Sequence, residues 1–208
     1  MKKAILFDID GTLLDAGDFV FRARDYTLKF HGHNPSEEKI KAAMGIPLVE
    51  FYQIVVPEAD ALKLAQTHME FQENNFQLIK PYPKTLTTLK ALKAAGFVMA
   101  AVSNRTRDSL LRSLKMTKVY KYLDAVFSAE DVKNPKPHKE HVLVTLKALK
   151  VEPVNAYMVG DTEHDITAGR EAKVKTVGVL YGWRGEDIKK CNPDFVIDDI
   201  EEILNIVK

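Results

Sequence analysis

An unbroken apolar run near the start of the chain, Ala4–Phe7, constrains the fold more than any other feature of the sequence. A strand without polar alternation is buried on both faces, as in parallel sheets that helices cover on both sides. Asp8 and Asp10 follow it, together with Gly11, which permits an unusual backbone conformation, and Thr12, which supplies a hydroxyl. Because open α/β sheets bind ligands at the carboxyl ends of their strands, the run predicts a central strand leading into a binding edge.

Two carboxylates at one strand end repel each other and raise each other's pKa, so a positive group should offset them. A hard divalent cation such as Mg²⁺ fits, since it prefers carboxylate and carbonyl oxygens and keeps positions for water and phosphate. An ordinary turn is the alternative, because Asp and Gly are common after any strand. The stretch Asp8–Thr12 alone leaves both interpretations open, and the rest of the chain must decide between them.

The composition argues against several classes of protein. The 208 residues carry 30 Lys and Arg against 29 Asp and Glu, so a net charge of +1 gives no field that would attract nucleic acid or a membrane surface. Cys191 is the single cysteine, which excludes an internal disulfide framework and fits a reducing cytosol. No apolar stretch approaches the roughly 20 residues that span a bilayer, and no signal-type segment precedes the first strand. We therefore expect a soluble cytoplasmic protein with neither nucleic acid nor membrane as a partner.

The segment from Asp15 to about Lys80 changes to helical periodicity, and no strand is predicted in it. Its four predicted helices run from about Phe19 to Phe30, Ser36 to Met44, Pro47 to Ile54 and Ala59 to Phe76. Four helices are difficult to place inside a sheet but easy to place over its ligand-binding edge. Residues 15–80 are therefore predicted to form a helical cap domain.

After Pro81-Tyr82-Pro83, a rigid return point, strands and helices alternate. Further strands are predicted at Phe97–Val102, Ala125–Phe127, Ala156–Val159, Thr176–Leu180 and Phe195–Ile197. Helices are predicted at Lys84–Ala95, Thr106–Leu114, Glu140–Leu149 and Asp199–Val207. This pattern predicts an α/β fold with a Rossmann-like, three-layer core around a central parallel sheet, formed by residues 1–14 and 81–208.

Polar side chains recur where predicted strands end or where the next helix opens, and they are Asp8, Asp10, Ser103, Asn104, Lys136, Asp161 and Asp165. In a parallel sheet those strand ends lie on one edge, so residues far apart in sequence converge on one pocket. Four carboxylates, one ammonium, a hydroxyl and an amide are the groups needed to hold a metal ion and a dianionic phosphate.

Four short motifs occur in order across nearly the whole chain, and they are Asp8-Ile9-Asp10-Gly11-Thr12, Ser103-Asn104, Lys136-Pro137 and Gly160-Asp161-Thr162-Glu163-His164-Asp165. With them the chain resembles the haloacid dehalogenase superfamily, in the branch with a helical cap inserted after the first motif. Within this superfamily, the chain most resembles phosphoglycolate phosphatase and pyrophosphatase-like phosphatases. The grounds are its length, its predicted cap and the stretch from Val179 to Trp183.

The resemblance implies phosphoryl transfer in two steps. Asp8 would attack phosphorus and form an aspartyl-phosphate, while Asp10 would protonate the leaving oxygen and then activate water. Mg²⁺ is the implied cofactor, held by the Asp8 carboxylate, the Asp10 backbone carbonyl and Asp161, with Asp165 as a direct or water-mediated ligand. The implied phosphate-binding residues are Thr12, Ser103, Asn104 and Lys136.

The weaker motifs have alternatives. Ser103 and Asn104 on their own would indicate only the start of a loop. Lys133, Lys136 and Lys139 are all candidates for the lysine of the family's third motif. Lys136 is preferred because it is followed by a proline, as in that motif. The match is incomplete, since Lys139 stands where the family usually has a second proline.

Three histidines lie near these motifs. His138 and His141, without an evident third metal ligand, are predicted to be surface residues. His164 lies inside the last motif, where it either lines the pocket or faces solvent.

The substrate would be selected by the cap. Met44–Pro47 resembles the cap loop that reaches into the active site in related phosphatases, and Arg22, Arg24 and Lys41 are candidate cations for a carboxylate or a second phosphate. A small pocket would favour phosphoglycolate or pyrophosphate, and a larger one sugar phosphates or nucleotides.

A Mg²⁺-dependent phosphatase acting on a small organic phosphate or pyrophosphate, as a monomer or homodimer, is the predicted function. A phosphomutase of the β-phosphoglucomutase type and a non-catalytic phosphate-binding protein are the alternatives. Dehalogenation is disfavoured because that chemistry needs no Mg²⁺ and has no use for Asp10.

Overall fold

The computed structural model describes residues 2–207. Its strands, numbered in chain order, are β1 (Ala4–Phe7), β2 (Leu14–Asp15), β3 (Lys80–Pro81), β4 (Val98–Val102), β5 (Ala125–Phe127), β6 (Ala156–Gly160), β7 (Lys175–Val179) and β8 (Phe195–Ile197). Its α-helices are α1 (Gly17–Phe30), α2 (Glu37–Ala42), α3 (Leu48–Val55), α4 (Ala61–Glu73), α5 (Thr85–Ala94), α6 (Arg107–Met116), α7 (Glu140–Leu149), α8 (Glu163–Glu171) and α9 (Ile203–Ile206).

Six of these strands form one sheet in the order β5-β4-β1-β6-β7-β8, and every neighbouring pair is parallel. The α/β fold with a central parallel sheet is therefore confirmed. From β1 the chain first builds towards β5 and later returns to build from β6 to β8. The order thus reverses at β1, and an open α/β sheet binds ligands at such a point, beyond the carboxyl ends of the strands.

The sheet is buried on both faces because successive apolar side chains of its strands enter two different cores. Ile5 and Phe7 of β1 belong to the core on one face, whereas Ala4 and Leu6 belong to the core on the other. Side chains from α5, α6 and α9 join the first core, and side chains from α7 and α8 join the second. The unbroken apolar pattern of β1 follows from this three-layer arrangement.

Between β2 and β3, the helices α1–α4 form an insertion with a hydrophobic core of its own, built around Leu28, Tyr52, Val55 and Leu64. We call residues 17–79 the helical insertion. The predicted division of the chain into two domains at residues 15–80 stays a prediction. Among residues 2–207, no helix has both the length and the apolar character needed to cross a bilayer.

Two sequence predictions about the elements were wrong. The strands β2 and β3 pair antiparallel where the insertion begins and ends, although no strand was predicted at either place. Each has only two residues, too few to show a periodic pattern. The predicted helix Asp199–Val207 begins as a 3₁₀ turn at Ile200–Glu202 and becomes α-helical only at α9.

Candidate active site

The predicted site residues meet at the carboxyl edge of the three central strands of the sheet. Asp8 follows β1, Ser103 follows β4 and Asp161 follows β6, and these strands are neighbours. The sequence therefore places a carboxylate, a hydroxyl and a second carboxylate side by side, because each comes directly after a buried strand.

Lys136 connects two of the carboxylates. Its Nζ donates to Asp8 Oδ1 and to Asp165 Oδ1, each at 2.6 Å, and the side chain is almost completely buried. Lys133 and Lys139, the competing lysines, are both exposed. These contacts agree with the choice of Lys136 over the other two lysines. The predicted role of Lys136 in phosphate binding stays a prediction.

Arg105 is a member of this cluster that the sequence reasoning missed. Its Nη1 donates to Asp10 Oδ1 at 3.0 Å, and its Nη2 donates to the hydroxyl and the carbonyl of Ser109 in the first turn of α6. The guanidinium also lies over the ring of Phe19, 5.0 Å from its centroid. A signal was present, since Arg105 is the third consecutive polar residue after β4.

Asp161 is held in place from both sides. Its Oδ2 accepts a hydrogen bond of 2.8 Å from the backbone N–H of Trp183, and the hydroxyl of Thr12 lies 3.4 Å from Oδ1. Gly11 allows the Asp161 carboxylate to lie this close to the backbone, because a Cβ at residue 11 would be only 2.3 Å from Asp161 Oδ2. The φ of Gly11, +93°, also favours glycine at this position. Thr12 thus faces Asp161, and its predicted contact with phosphate stays a prediction.

Asp165 is positioned by the start of α8. Its Oδ2 accepts hydrogen bonds from the backbone N–H of Thr162 at 3.0 Å and from the Thr162 hydroxyl at 2.6 Å, which forms a capping box. Its Oδ1 is therefore the oxygen turned towards Lys136 and Asp8.

Burial and mutual repulsion perturb the carboxyl groups of this cluster. Burial raises the pKa of Asp8 to about 7, with Lys136 opposing the rise and Asp165 adding to it. The pKa of Asp161 is raised well above its usual value by burial and by Asp8 and Asp165. Burial also raises the pKa of Asp10, against the lowering effect of Arg105. Burial alone would lower the pKa of Lys136, but the adjacent carboxylates outweigh it and raise that pKa.

These residues fit a divalent cation. Asp8, Asp161 and Asp165 each offer an oxygen, and these oxygens lie within 4.8 Å of one another. Four buried carboxylates face two cations, Lys136 and Arg105, so the cluster carries an excess of negative charge when all of its groups are ionised. Hard carboxylate oxygens with unbalanced negative charge are the donor set that Mg²⁺ prefers.

A cavity of about 130 Å³ opens beside this cluster. Asp8 and Asp10, each 8% exposed, line it together with Ser103 and Lys136. Asp161 is fully buried and does not reach it. The other wall is formed by α1, α3, α4 and the loop from Ala43 to Ile46, so the cavity lies between the sheet edge and the helical insertion.

Asn104 fastens this loop to the sheet edge. Its Nδ2 donates to the carbonyl of Gly45 at 2.8 Å and to the carbonyl of Lys136 at 2.7 Å, while its Oδ1 accepts from the Lys136 N–H at 3.1 Å. The side-chain amide is thereby committed to backbone partners. The predicted contact between Asn104 and phosphate stays a prediction, as does that of Ser103.

The histidines divide between surface and interior. His138 is exposed, as predicted, but the same prediction for His141 was wrong. α7 turns His141 towards the core with Val142 and Leu146, and burial lowers the pKa of His141 to about 4. His164 packs beneath the loop at Gly45, where a Cβ on Gly45 would lie 3.0 Å from His164 Cδ2.

Comparisons with known proteins agree on one family. Residues 5–179 match the family of haloacid dehalogenase-like hydrolases. The pyrophosphatase PpaX of Bacillus pumilus is 33% identical over 209 residues, which cover 99% of this chain and 96% of that protein. PpaX of Anoxybacillus flavithermus is 32% identical over 208 residues, which cover 99% and 96% of the two chains.

Solved structures show the same fold. A predicted phosphoglycolate phosphatase from Haemophilus somnus superimposes with a TM-score of 0.88 at 24% identity, covering 100% of this chain and 98% of that one. A haloacid dehalogenase-like family protein from Streptococcus pneumoniae superimposes with a TM-score of 0.85 at 21% identity, covering 100% and 99% of the two chains.

Proposed function

The chain belongs to the haloacid dehalogenase-like hydrolases, and we propose that it is a Mg²⁺-dependent phosphatase that releases phosphate from a small anionic substrate. One observation carries the proposal most directly. Asp8 and Asp10 are the two carboxylates of the cluster that open to the cavity, with Ser103 and Lys136 beside them on the same edge.

Asp8 is the proposed nucleophile. Its Oδ1 is fixed by Lys136, which leaves Oδ2 to attack phosphorus. A bond forms between Oδ2 and phosphorus as the bond from phosphorus to the leaving oxygen breaks, and an aspartyl-phosphate results. Lys136 holds the carboxylate in its reactive orientation and places positive charge beside the phosphoryl oxygens.

Asp10 is the proposed acid and base. Arg105 holds its Oδ1, and the raised pKa of Asp10 suits a group that must first donate a proton to the leaving oxygen. Asp10 then accepts a proton from the water that attacks the aspartyl-phosphate, which releases inorganic phosphate and restores Asp8.

Mg²⁺ would be held by Asp8, Asp161 and Asp165, with the Asp10 backbone carbonyl as a further proposed ligand. When bound, the cation supplies the positive charge that this cluster lacks and offsets the repulsion between Asp8 and a phosphate dianion.

Pyrophosphate is the first proposed substrate, and a phosphoglycolate-like monoester the second. The PpaX relatives carry the name pyrophosphatase at more than 30% identity over nearly the whole chain. A cavity of about 130 Å³ also suits a small molecule, since pockets for drug-sized ligands occupy roughly 300–1,000 Å³.

We further propose that residues 15–80 act as a cap domain over the remainder of the chain and that the enzyme works in the cytoplasm as a monomer or homodimer. The separate apolar core of the helical insertion supports the first proposal, and the single Cys191 is compatible with a reducing compartment.

Phosphate release tests the proposed function. The substrates are pyrophosphate, phosphoglycolate, a hexose phosphate and a nucleotide, each with Mg²⁺ and with a chelator. Asp8→Asn should reduce kcat at least about 1,000-fold at nearly constant volume, because it removes the nucleophilic charge. The surface variant Asp108→Asn should retain full activity.

Full activity of Asp8→Asn, or unchanged rates in chelator, would refute the proposed mechanism. Interconversion of hexose phosphates without net phosphate release would identify a phosphomutase. Binding of phosphate without any turnover would identify a non-catalytic phosphate-binding protein.

A further inference from the structure

The wall of the cavity on the side of the helical insertion is formed by residues of α1, α3, α4 and the loop from Ala43 to Ile46, and most of these residues are apolar. α1 contributes Val20, Phe21 and Arg24, and α4 contributes His68 and Gln72. Arg24 lies four residues after Val20 and three after Phe21, and Gln72 lies four after His68, spacings that make these pairs neighbours on one face of each helix. A substrate bound at Asp8 would therefore extend its leaving part towards this wall.

Arg24 is distinguished from the other two candidate cations of the insertion by its position. Arg22 pairs with Asp18 as Arg24 pairs with Asp25, but the Arg22 side chain is 60% exposed, and that of Lys41 is 74% exposed. The Arg24 side chain is only 19% exposed and lines the cavity. Arg22 and Arg24 point in different directions because they are two residues apart on a helix, but the sequence alone does not say which of these directions faces the cavity.

The guanidinium of Arg24 is held in one orientation. Its Nε and Nη2 donate to Asp25 Oδ1 at 2.8 and 2.6 Å, and it lies over the ring of Phe21, 5.2 Å from the centroid. Within residues 2–207, no hydrogen bond occupies Nη1. Its two N–H groups therefore have no hydrogen-bond partner among the described residues, and the side chain that carries them lines the cavity.

The other cations that line the cavity already face catalytic carboxylates. Lys136 contacts Asp8, and Arg105 contacts Asp10. His68 contributes no charge at neutral pH, because burial and the nearby charges of Arg105 and Arg24 lower the pKa of His68 to about 3. In the part of the chain that the structure describes, Arg24 is thus the charged lining residue that contacts neither Asp8 nor Asp10.

We infer that Arg24 is a specificity-determining residue that binds a second anionic group, a carboxylate or a phosphate, on the leaving part of the substrate. The inference rests on the proposed function, since it assumes that the group to be transferred lies at Asp8. The enzyme then prefers small molecules with an oxyanion at both ends over phosphates with a neutral leaving group.

The experiment compares wild type, Arg24→Gln and the matched control Arg22→Gln from the same helix. The substrates are pyrophosphate, phosphoglycolate and ethyl phosphate, which has a small neutral leaving group. We expect Arg24→Gln to lower kcat/KM for the substrates with a second anion about 10- to 100-fold, the usual effect of losing a charged hydrogen bond. Values for ethyl phosphate, and all values for Arg22→Gln, should stay within about threefold of wild type.

A loss with pyrophosphate alone would assign Arg24 to a second phosphate, and a loss with phosphoglycolate alone would assign it to a carboxylate. An equal loss with all three substrates, or none with any, would overturn the inference.

A binding measurement separates this test from the proposed function. In Asp8→Asn protein with Mg²⁺, calorimetry compares methylenediphosphonate, which has two anionic ends, with methylphosphonate, which has one. Arg24→Gln should weaken only the first ligand, by at least tenfold, and Arg24→Lys should recover part of the loss. Equal affinities with and without Arg24 would contradict the inference even if wild type hydrolysed none of the substrates.

Discussion

Arg105 holds Asp10, the proposed acid and base, at the sheet edge. It contacts Asp10 and Ser109, so its removal leaves a buried carboxyl without its cation and free to rotate. We predict that Arg105→Gln lowers kcat about 10- to 100-fold while KM changes less than about threefold, because Asp10 would be misplaced after the substrate has bound.

Steady-state kinetics check this prediction, with the exposed Arg107→Gln as the control and Arg105→Lys as the conservative variant. Partial recovery of kcat in the lysine variant would indicate that a cation beside Asp10 is what matters. A rise in KM at unchanged kcat would instead make Arg105 a substrate contact, contrary to the positioning role.

His68 gives the stability of the protein a dependence on pH. Its ring is hydrogen-bonded to the Tyr52 hydroxyl and to Gln72 Nε2, both at 2.9 Å, and burial lowers the pKa of His68 to about 3. The unfolded chain protonates this histidine near pH 6.5 and the folded protein does not. The folded state should therefore lose stability as the pH falls from about 6.5 towards 3.

The expected contribution of His68 to the slope approaches about 1.4 kcal/mol per pH unit in this window. Urea denaturation between pH 5 and 7 should show a shallower slope for His68→Gln than for wild type. His141, also buried, contributes equally to both proteins and cancels in the comparison. The exposed His138→Gln is the control, and identical slopes for wild type and His68→Gln would contradict the prediction.

Strand-end residues were the ones that the sequence could predict. Asp8, Asp10 and Asp161 follow buried strands, so parallel pairing alone brings them together. Arg105 and Arg24 were harder, because the first depends on how α6 packs and the second on which face of α1 is covered. Local periodicity does not predict how these two helices pack.

In the loop from Ala43 to Ile46, Gly45 contacts the sheet edge. Gly45 has a φ of +87°, and a Cβ there would lie 3.0 Å from His164 Cδ2 and 3.3 Å from Thr162 Cγ2. We predict that Gly45→Ala displaces the loop, weakens the hydrogen bond from Asn104 and lowers kcat/KM about tenfold.

Gly32→Ala is the matched control, because Gly32 also has a positive φ but no atom within 4 Å of the added Cβ. Both variants should lose a similar amount of stability, about 1 kcal/mol, from backbone strain alone. Kinetics and urea denaturation of the pair separate strain from displacement. Equal activity of the two variants would show that the loop does not need to approach His164.

Elements with clear flanking signals were predicted with their correct bounds. β5, β8 and α7 match the predicted ranges, because apolar runs there are bordered by turn residues or by a change of periodicity. β2 and β3 could not be found in this way, since their pairing joins residues that are distant in sequence.

The whole protein should be stabilised by Mg²⁺. The proposed cation site, formed by Asp8, Asp161 and Asp165, exists only when the strands of the sheet are assembled, so a cation that binds there would favour the folded state. We predict that Mg²⁺ at 100 times its dissociation constant raises the free energy of unfolding by about 2.7 kcal/mol over chelator-treated protein.

Thermal unfolding with Mg²⁺ and with chelator measures this shift without any substrate. Asp161→Asn should abolish it, and the surface variant Asp187→Asn should retain it. Without metal, Asp161→Asn should be at least as stable as wild type, because it removes one of the repelling carboxylates. A full shift in Asp161→Asn would exclude this cluster as the site of the cation.

The pairing of β2 with β3 has a consequence for how such a protein can change over time. The chain leaves the sheet at Leu14–Asp15 and returns at Lys80–Pro81, and these two points are hydrogen-bonded neighbours. In topological terms everything between them is one long hairpin loop, so its length and sequence can vary without altering a single strand pairing of the main sheet. Under the proposed roles, catalytic chemistry and choice of substrate are encoded in separable stretches of the gene, and mutation can remodel one while the other is preserved.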